Sequence, residues 1–312
     1  MTSGMRRGDP DPAASGPVVV GAASRDLAAA DPRGWRLGGA VTYAGLALAR
    51  LGLRPRVLLG GDPSATTAAE LDLLREAGAD LRVVALARSP VFDNREARGI
   101  REQWCVEQGD PLPAAALPDA WRSASDWVFG PVAGELPDEW GSVPDPAARV
   151  ALGWQGLLRH VPRGGPVARR PPAPSPILAR ADLVVASRLD LDPGAKIDEL
   201  GPLLRRGATL VVTDGDAGGE VWRVVGDRAK LARRYRAIPA AVVIDATGAG
   251  DAFLAGMVAA RMGHPLGGSG RRGTDLRLAA TLGSLAVEAP GVLGLPGLAA
   301  VAARLGASLR RG

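Results

Sequence analysis

Cysteine is almost missing from this chain of 312 residues: Cys105 stands alone, so no intramolecular disulfide can form. Histidine is nearly as scarce, and His160 and His264 offer too few donors for a zinc site of the usual ligand types. Such a chain suits a reducing compartment, and a cytoplasmic location is expected. Aromatic residues are 4% of the sequence and lysine occurs only at Lys196 and Lys230, so the net charge of +5 is carried by arginines scattered along the chain. Nucleic-acid binding asks for clustered basic residues with interleaved aromatics, and no nucleic-acid partner is expected. Long apolar runs are missing too. None approaches the roughly 20 residues of a spanning helix, and Arg6 and Arg7 are followed by no apolar stretch of the signal-peptide kind, so no membrane association is expected. No repeat of fixed period is found.

What is present is enough apolar residue, 46%, to bury a large core. Residues 1–16 are polar and contain Pro and Gly; they are expected to form a disordered leader, with one folded domain over 17–312. Residues 17–21 (PVVVG) are a β-branched strand closed by glycine. Segment 38–52 (GGAVTYAGLALARLG) carries Ala, Leu and Val at helical spacing and stops at Gly52. Residues 56–60 read as a second strand, 68–77 as a helix and 81–85 as a third strand. The alternation returns at 127–130, 150–153, 183–186, 209–213 and 241–244, short buried strands with helical segments between several of them. Strands alternating with helices imply an α/β fold, a mainly parallel sheet covered on both faces. Two stretches break the pattern. Residues 89–106 read as a hairpin turning at 97–99, which with the 33–39 region forms a small lid beside the sheet. Residues 160–176, dense in Pro, Gly and Arg, read as an exposed loop.

The sharpest chemical signal is residues 242–262, VVIDATGAGDAFLAGMVAARM. A strand ending at Ile244 leads to a turn with Gly248 and Gly250 and then directly into a helix. Free N–H groups at a helix start attract anions, and glycines let a phosphate approach the backbone, so Gly248, Ala249 and Gly250 form a phosphate cradle. Asp251 in the first turn has an ordinary role open to it as a cap. Its place among phosphate-binding amides points further, because a carboxylate there repels the ligand unless it takes a proton from an attacking hydroxyl. A dinucleotide fingerprint would put a third glycine where Phe253 stands, and a Walker A loop needs Gly-Lys-Ser/Thr with no lysine near.

The string DATGAGDAFLAG resembles the C-terminal signature of the ribokinase-like (PfkB) carbohydrate kinase family, D-T-x-G-A-G-D. Asp245, Thr247, Gly248, Ala249, Gly250 and Asp251 match it, and Ala246 replaces the usual Thr. The resemblance implies a three-layer α/β/α ribokinase-like fold with a mainly parallel central sheet and a small β lid. It implies that the 248–251 amides form the anion hole for the transferred phosphoryl group, that Asp251 is the catalytic base, and that Asp245 lies at a monovalent-cation site. Residues 21–26 (GAASRD) are similar to the family's first strand and loop, which makes Asp26 a contact for acceptor hydroxyls. Gly38 and Gly39 match the Gly-Gly that opens the acceptor site, and Thr42 stands where many sugar kinases carry Asn. Residues 130–135 (GPVAGE) and 155–159 (QGLLR) resemble motifs of a ribokinase-like subgroup, which places Gln155 and Arg159 near the substrate at the carboxyl end of a strand. Ser187 and Asp190 (SRLD) fall where the family has Asn-x-x-Glu; Asp190 then helps organise Mg2+, through water because its side chain is shorter. Residues 211–222 (VVTDGDAGGEVW) match the nucleotide-site strand and turn, with Thr213 and Gly215 near the phosphates and Gly218 at the following bend. Residues 287–292 (VEAPGV) bring Pro290 and Gly291 beside the adenine.

The expected function is ATP-dependent phosphotransfer, with Mg2+, to a hydroxyl of a small sugar, polyol or nucleoside-like acceptor under the lid. The departures at Thr42, Ser187 and Asp190 leave a second reading open, a ribokinase-fold binding or regulatory protein. Arg25, Arg33, Arg36, Arg95, Arg98 and Arg101 crowd the lid region, a pattern that suits a phosphorylated or acidic acceptor and equally a solvated face. The lid hairpin also offers an edge able to pair in a homodimer.

Overall fold

The computed structural model describes residues 16–97, 100–267 and 274–309. The expected leader lies outside the described residues except for Gly16, which is buried and whose carbonyl accepts from the Arg56 guanidinium at 3.2 Å.

Apolar β-branched runs build the centre. Nine strands form one sheet in the order Arg228–Tyr235, Gly219–Val225, Thr209–Thr213, Leu183–Ser187, Arg149–Gly153, Asp126–Phe129, Val18–Ala22, Arg56–Gly61, Asp80–Ala85. From Thr209–Thr213 to Asp80–Ala85 all neighbours are parallel, and the first two strands attach antiparallel as an edge hairpin. Alternate residues feed two cores: Val19 packs on one face, Val18 and Val20 on the other.

The two faces are covered differently. On one, the helices Ala40–Arg50, Glu70–Glu76, Ala249–Arg261, Thr274–Ala286 and Leu298–Leu309 enclose an aliphatic core that includes Leu46, Leu48, Leu254 and Leu282. On the other, prolines such as Pro113, Pro118, Pro137 and Pro202 withhold the amide donors that long helices need. Short 3-10 turns and one brief helix, Pro176–Arg180, pack there around Trp127, Trp140 and Trp154. The expected three-layer α/β/α arrangement is therefore present, with the second helical layer reduced to these turns.

A second sheet has five strands in the order Gly165–Pro166, Ile100–Glu107, Val91–Ala97, Ser24–Leu27, Trp35–Gly38. It contains the two segments expected of the lid; turn residues 98 and 99 lie outside the described residues. Two further segments join it. Ser24–Leu27 continues from the central strand Val18–Ala22, and Gly165–Pro166, inside the stretch expected to be a loop, pairs antiparallel with Cys105 and Trp104.

One expected strand does not form. Val242, Val243 and Ile244 are 52%, 70% and 57% exposed, and the amides of Ile244 and Asp245 donate to the Val287 carbonyl at 2.8 and 3.2 Å. The sheet edge beside Thr209–Thr213 is already taken by the Gly219–Val225 hairpin, whose second strand (RAKLARRY) is too charged to read as one. A β-branched run with no strand left to pair with crosses to the 287–291 loop instead.

Candidate active site

The helix Ala249–Arg261 starts over the carboxyl ends of the central strands. Gly248 is its N-cap with φ 79°, and a Cβ there would run into the Tyr43 ring, so glycine is required both by backbone and by space. No side chain caps this helix. Ala252 N donates to Gly248 O at 2.9 Å, whereas the amides of Gly250 and Asp251 have no acceptor among the described residues. First-turn N–H groups point out of the helix start, which makes these two available to an anion.

The Asp251 carboxylate makes no hydrogen bond with any described residue, so the capping role is not realised. Burial pushes its carboxyl up to about 7; Arg159 pulls it down and Asp190 pushes it further up. Gly153, at the end of its strand, lies beside the carboxylate: a Cβ there would stand 3.9 Å from Asp251 Oδ1, an ordinary contact distance. Arg159 donates to Gln103 Oε1 at 3.1 Å and lies 3.6 Å from Asp190 Oδ1, to which Gln155 Nε2 also donates at 3.4 Å. Ser187 and Asp190 close a capping box: Ser187 Oγ accepts from Leu189 N at 3.2 Å, and Ser187 N donates to Asp190 Oδ2 at 3.4 Å. Gln155, Arg159, Asp190 and Asp251 thus converge from separate parts of the chain. Thr213, in register with Ser187, donates to the Ala186 carbonyl at 3.3 Å. Gly215 and Gly218 follow with φ 53° and 100°, and a side chain at 218 would strike the Tyr235 carbonyl.

Asp245 is engaged differently. Its Oδ1 accepts from Thr247 N at 2.9 Å and its Oδ2 from Gly291 N at 3.0 Å, so one carboxylate ties the anion turn to the Pro290–Gly291 loop. Glu135, from the GPVAGE stretch, is a second tie. Its buried carboxylate accepts from the amides of Ala22, Val132 and Ala133 at 3.3, 3.0 and 2.8 Å, and burial still pushes it upward against those donors.

On the small-sheet side, a side chain at Gly38 would meet Asp26 and Ser24 oxygens at 2.6 Å, and Gly39 has φ 95°. The glycine pair lets the start of helix Ala40–Arg50 lie against Asp26. A cavity of about 160 Å3 opens there, lined by Asp26, Arg36, Tyr43, Asn94, Asp245 and Thr247 among others. Thr42 is not in its wall: it is fully buried and its hydroxyl donates to the Gly38 carbonyl at 2.9 Å. The neighbouring Tyr43, turned about 100° around the helix, faces the cavity instead. Burial pushes its phenol up, and Asp26, Asp245 and Asp251 add to that. Tyr43 and Asn94 escaped the sequence reading because a helix buried on every side has no polar stripe to follow, and because a hairpin shows its inward residues only once it is docked. A larger cavity of about 710 Å3 lies beyond Arg36, walled by Trp35, Leu37, Leu73 and Leu293; Asp251 lines neither cavity, and Thr247 brings the 245–251 turn to the smaller one.

Residues 174–296 match the family model described as pfkB family carbohydrate kinase. The fold is similar to a pyrophosphate-dependent kinase in the ribokinase family complexed with a pyrophosphate analog and myo-inositol (17% identity, 88% of this chain and 96% of that one, TM-score 0.69). This chain has the ribokinase-like fold. Fructokinase with bound ATP from Xylella fastidiosa is similar at 23% identity over 94% and 98% of the two chains (TM-score 0.67), and Arabidopsis thaliana ribokinase complexed with ribose and ATP at 18% over 93% and 99% (TM-score 0.63). Among curated proteins no sequence relative matches. The model match spans Ser187, Asp190, Thr213, the 245–251 turn and Pro290–Gly291, whereas Asp26, Gly38, Gly39, Gln155 and Arg159 fall outside it and within the structural match.

Proposed function

We propose that this chain transfers the terminal phosphoryl group of ATP to a hydroxyl of a small polyhydroxylated acceptor, a sugar, polyol or nucleoside. One observation carries the reading: residues 248–251 offer free amides and an uncommitted carboxylate on the same turn. The acceptor oxygen attacks phosphorus, its proton passes to deprotonated Asp251, and the bond to the leaving phosphate oxygen breaks. The Gly250 and Asp251 amides stabilise charge on the transferred oxygens. A base held at about 7 is matched to neutral pH, where about half of it is ionised and it takes a proton readily. Asp26 and Asn94 line the cavity where acceptor hydroxyls would bind, with Tyr43 in its wall and Gly38 leaving room for the Asp26 carboxylate.

Among the described residues no group of three or more His, Cys, Asp or Glu could cage a metal. That suits Mg2+, which is commonly held by one or two carboxylates, water and the donor's own phosphates. Asp190 is the carboxylate on that side, and the ion supplies charge neutralisation of the donor when bound. Asp245, already engaged by two amides, holds the Pro290–Gly291 loop to the anion turn, and no cation is assigned to it here.

ATP is favoured as donor because ribokinase-fold neighbours carry it, and pyrophosphate is the donor to test beside it because another neighbour depends on it. The chain is incubated with either donor, Mg2+ and a panel of sugars, polyols and nucleosides, and products are read by mass spectrometry. The expected result is one phosphorylated acceptor class, formed by the natural chain and not by Asp251→Asn. Acceptors that protect against thermal unfolding but yield no product with either donor would make it a binding protein instead.

A further inference from the structure

The small and the large cavity meet at Arg36 and Gly291, which line both. The arginines around them are not alike. Arg25 pairs with Asp62 at 2.8 Å, and Arg33 pairs with Asp31 at 3.1 Å and Glu70 at 2.5 Å while lying over the Trp35 ring. Arg95 pairs with Asp93 at 2.6 Å over Trp104. Arg36, half-buried, makes no hydrogen bond or ion pair with any described residue, although Asp26 stands opposite it in the strand register. The carboxylates nearby already have partners: Asp31 and Glu70 are held by Arg33, and Asp245 by two amides. A guanidinium has five N–H donors, and those of Arg36, half-buried at the joint of two cavities and committed to no described side chain, are available to a ligand at the cost of displacing water alone.

We propose that Arg36 binds an anionic group, phosphate or carboxylate, carried by the acceptor, so that the substrate is a polyhydroxylated anion rather than a neutral sugar. This rests on the phosphotransfer reading of the same site. The planar fork of a guanidinium matches two oxygens of either group. Asp26 sets the polarity of binding: its carboxylate accepts from hydroxyls and repels an anion, so the hydroxyl-bearing part of the acceptor faces Asp26 and Asn94. The anionic part lies at the mouth, where the larger cavity beyond Arg36 leaves it room.

The test uses matched pairs, glucose with glucose 6-phosphate and with gluconate, and myo-inositol with its monophosphate. Turnover with the donor and thermal stabilisation without it are measured for the natural chain, Arg36→Gln and Arg36→Lys. The natural chain is expected to prefer the anionic member of a pair, and Arg36→Gln to lower the anionic-to-neutral ratio of kcat/KM by about a hundredfold, mainly through KM, with Lys recovering part. Donor KM should stay the same. The phosphate and carboxylate arms tell which anion is bound. A chain that binds and turns over neutral members as well as anionic ones, or a ratio untouched by Arg36→Gln, overturns the proposal. If nothing is phosphorylated the kinase reading fails, while the stabilisation arm still reads whether anions are preferred and whether Arg36 is the reason.

Discussion

Asp245 and Asp251 stand at the two ends of one turn, and the fold treats them in opposite ways. Asp245 precedes the turn, where the amides of Thr247 and Gly291 converge on its two oxygens. Asp251 lies inside the helix start, where first-turn amides project away from its side chain and no donor reaches it. A carboxylate satisfied by amides has its charge stabilised and makes a poor base but a good tie. One deprived of donors and buried is held near neutrality, at about 7 here, and takes a proton readily. The same residue type becomes structure or chemistry according to where the backbone sends its N–H groups.

The contrast is tested most severely at Asp251→Asn. Turnover is expected to fall by about a thousandfold while donor binding, followed by thermal shift, is retained; near-normal turnover would pass the base role to another group. Gly248→Ala strikes the frame that keeps the two carboxylates apart. It forces a side chain into φ 79° and into the Tyr43 ring, and urea unfolding should show a loss of about 2–4 kcal/mol. Asp245→Asn leaves one acceptor oxygen for two amides. A loss of about 1–2 kcal/mol is expected, with donor KM raised and kcat nearly kept, the reverse of the Asp251→Asn pattern in steady-state kinetics.

Titration sharpens the comparison further. As Asp251 loses its proton, kcat/KM should rise with pH, with a midpoint near 7. Arg159 pulls that value down, so Arg159→Met should move the midpoint upward, and an unmoved midpoint would mean that another group titrates. Stability runs the other way. The folded value lies above the ordinary 3.8, so the folded chain binds the extra proton between the two. Asp251's contribution is full below about 4 and is lost as pH rises through 7. Denaturant curves across that range should show a slope that Asp251→Asn removes.

Much of this was legible in the chain, for reasons that are local. Valine-rich runs such as Val18–Ala22 and Leu183–Ser187 announce buried parallel strands because they lack a polar face. The Gly248-Ala249-Gly250-Asp251 turn announces an anion site because steric freedom at a helix start depends on a few consecutive residues. The run at 241–244 misled because β-propensity says nothing about whether a sheet edge is vacant. Thr42 misled because neighbours on a helix point about 100° apart, and only packing tells which one looks into the cavity.

The sequence by itself determined the order of elements, the parallel sheet and the turn that bears Asp251, since each follows from residue type and near-neighbour spacing. Tertiary structure alone decided that Asp245 reaches Gly291, that Gln103 holds Arg159 beside Asp190, that Tyr43 fills the space over Gly248, and that Arg36 is left without a partner among the described residues. Those are meetings of residues far apart along the chain. Hydrogen-bond supply and burial at such meetings depend on how the layers pack, which no local pattern encodes.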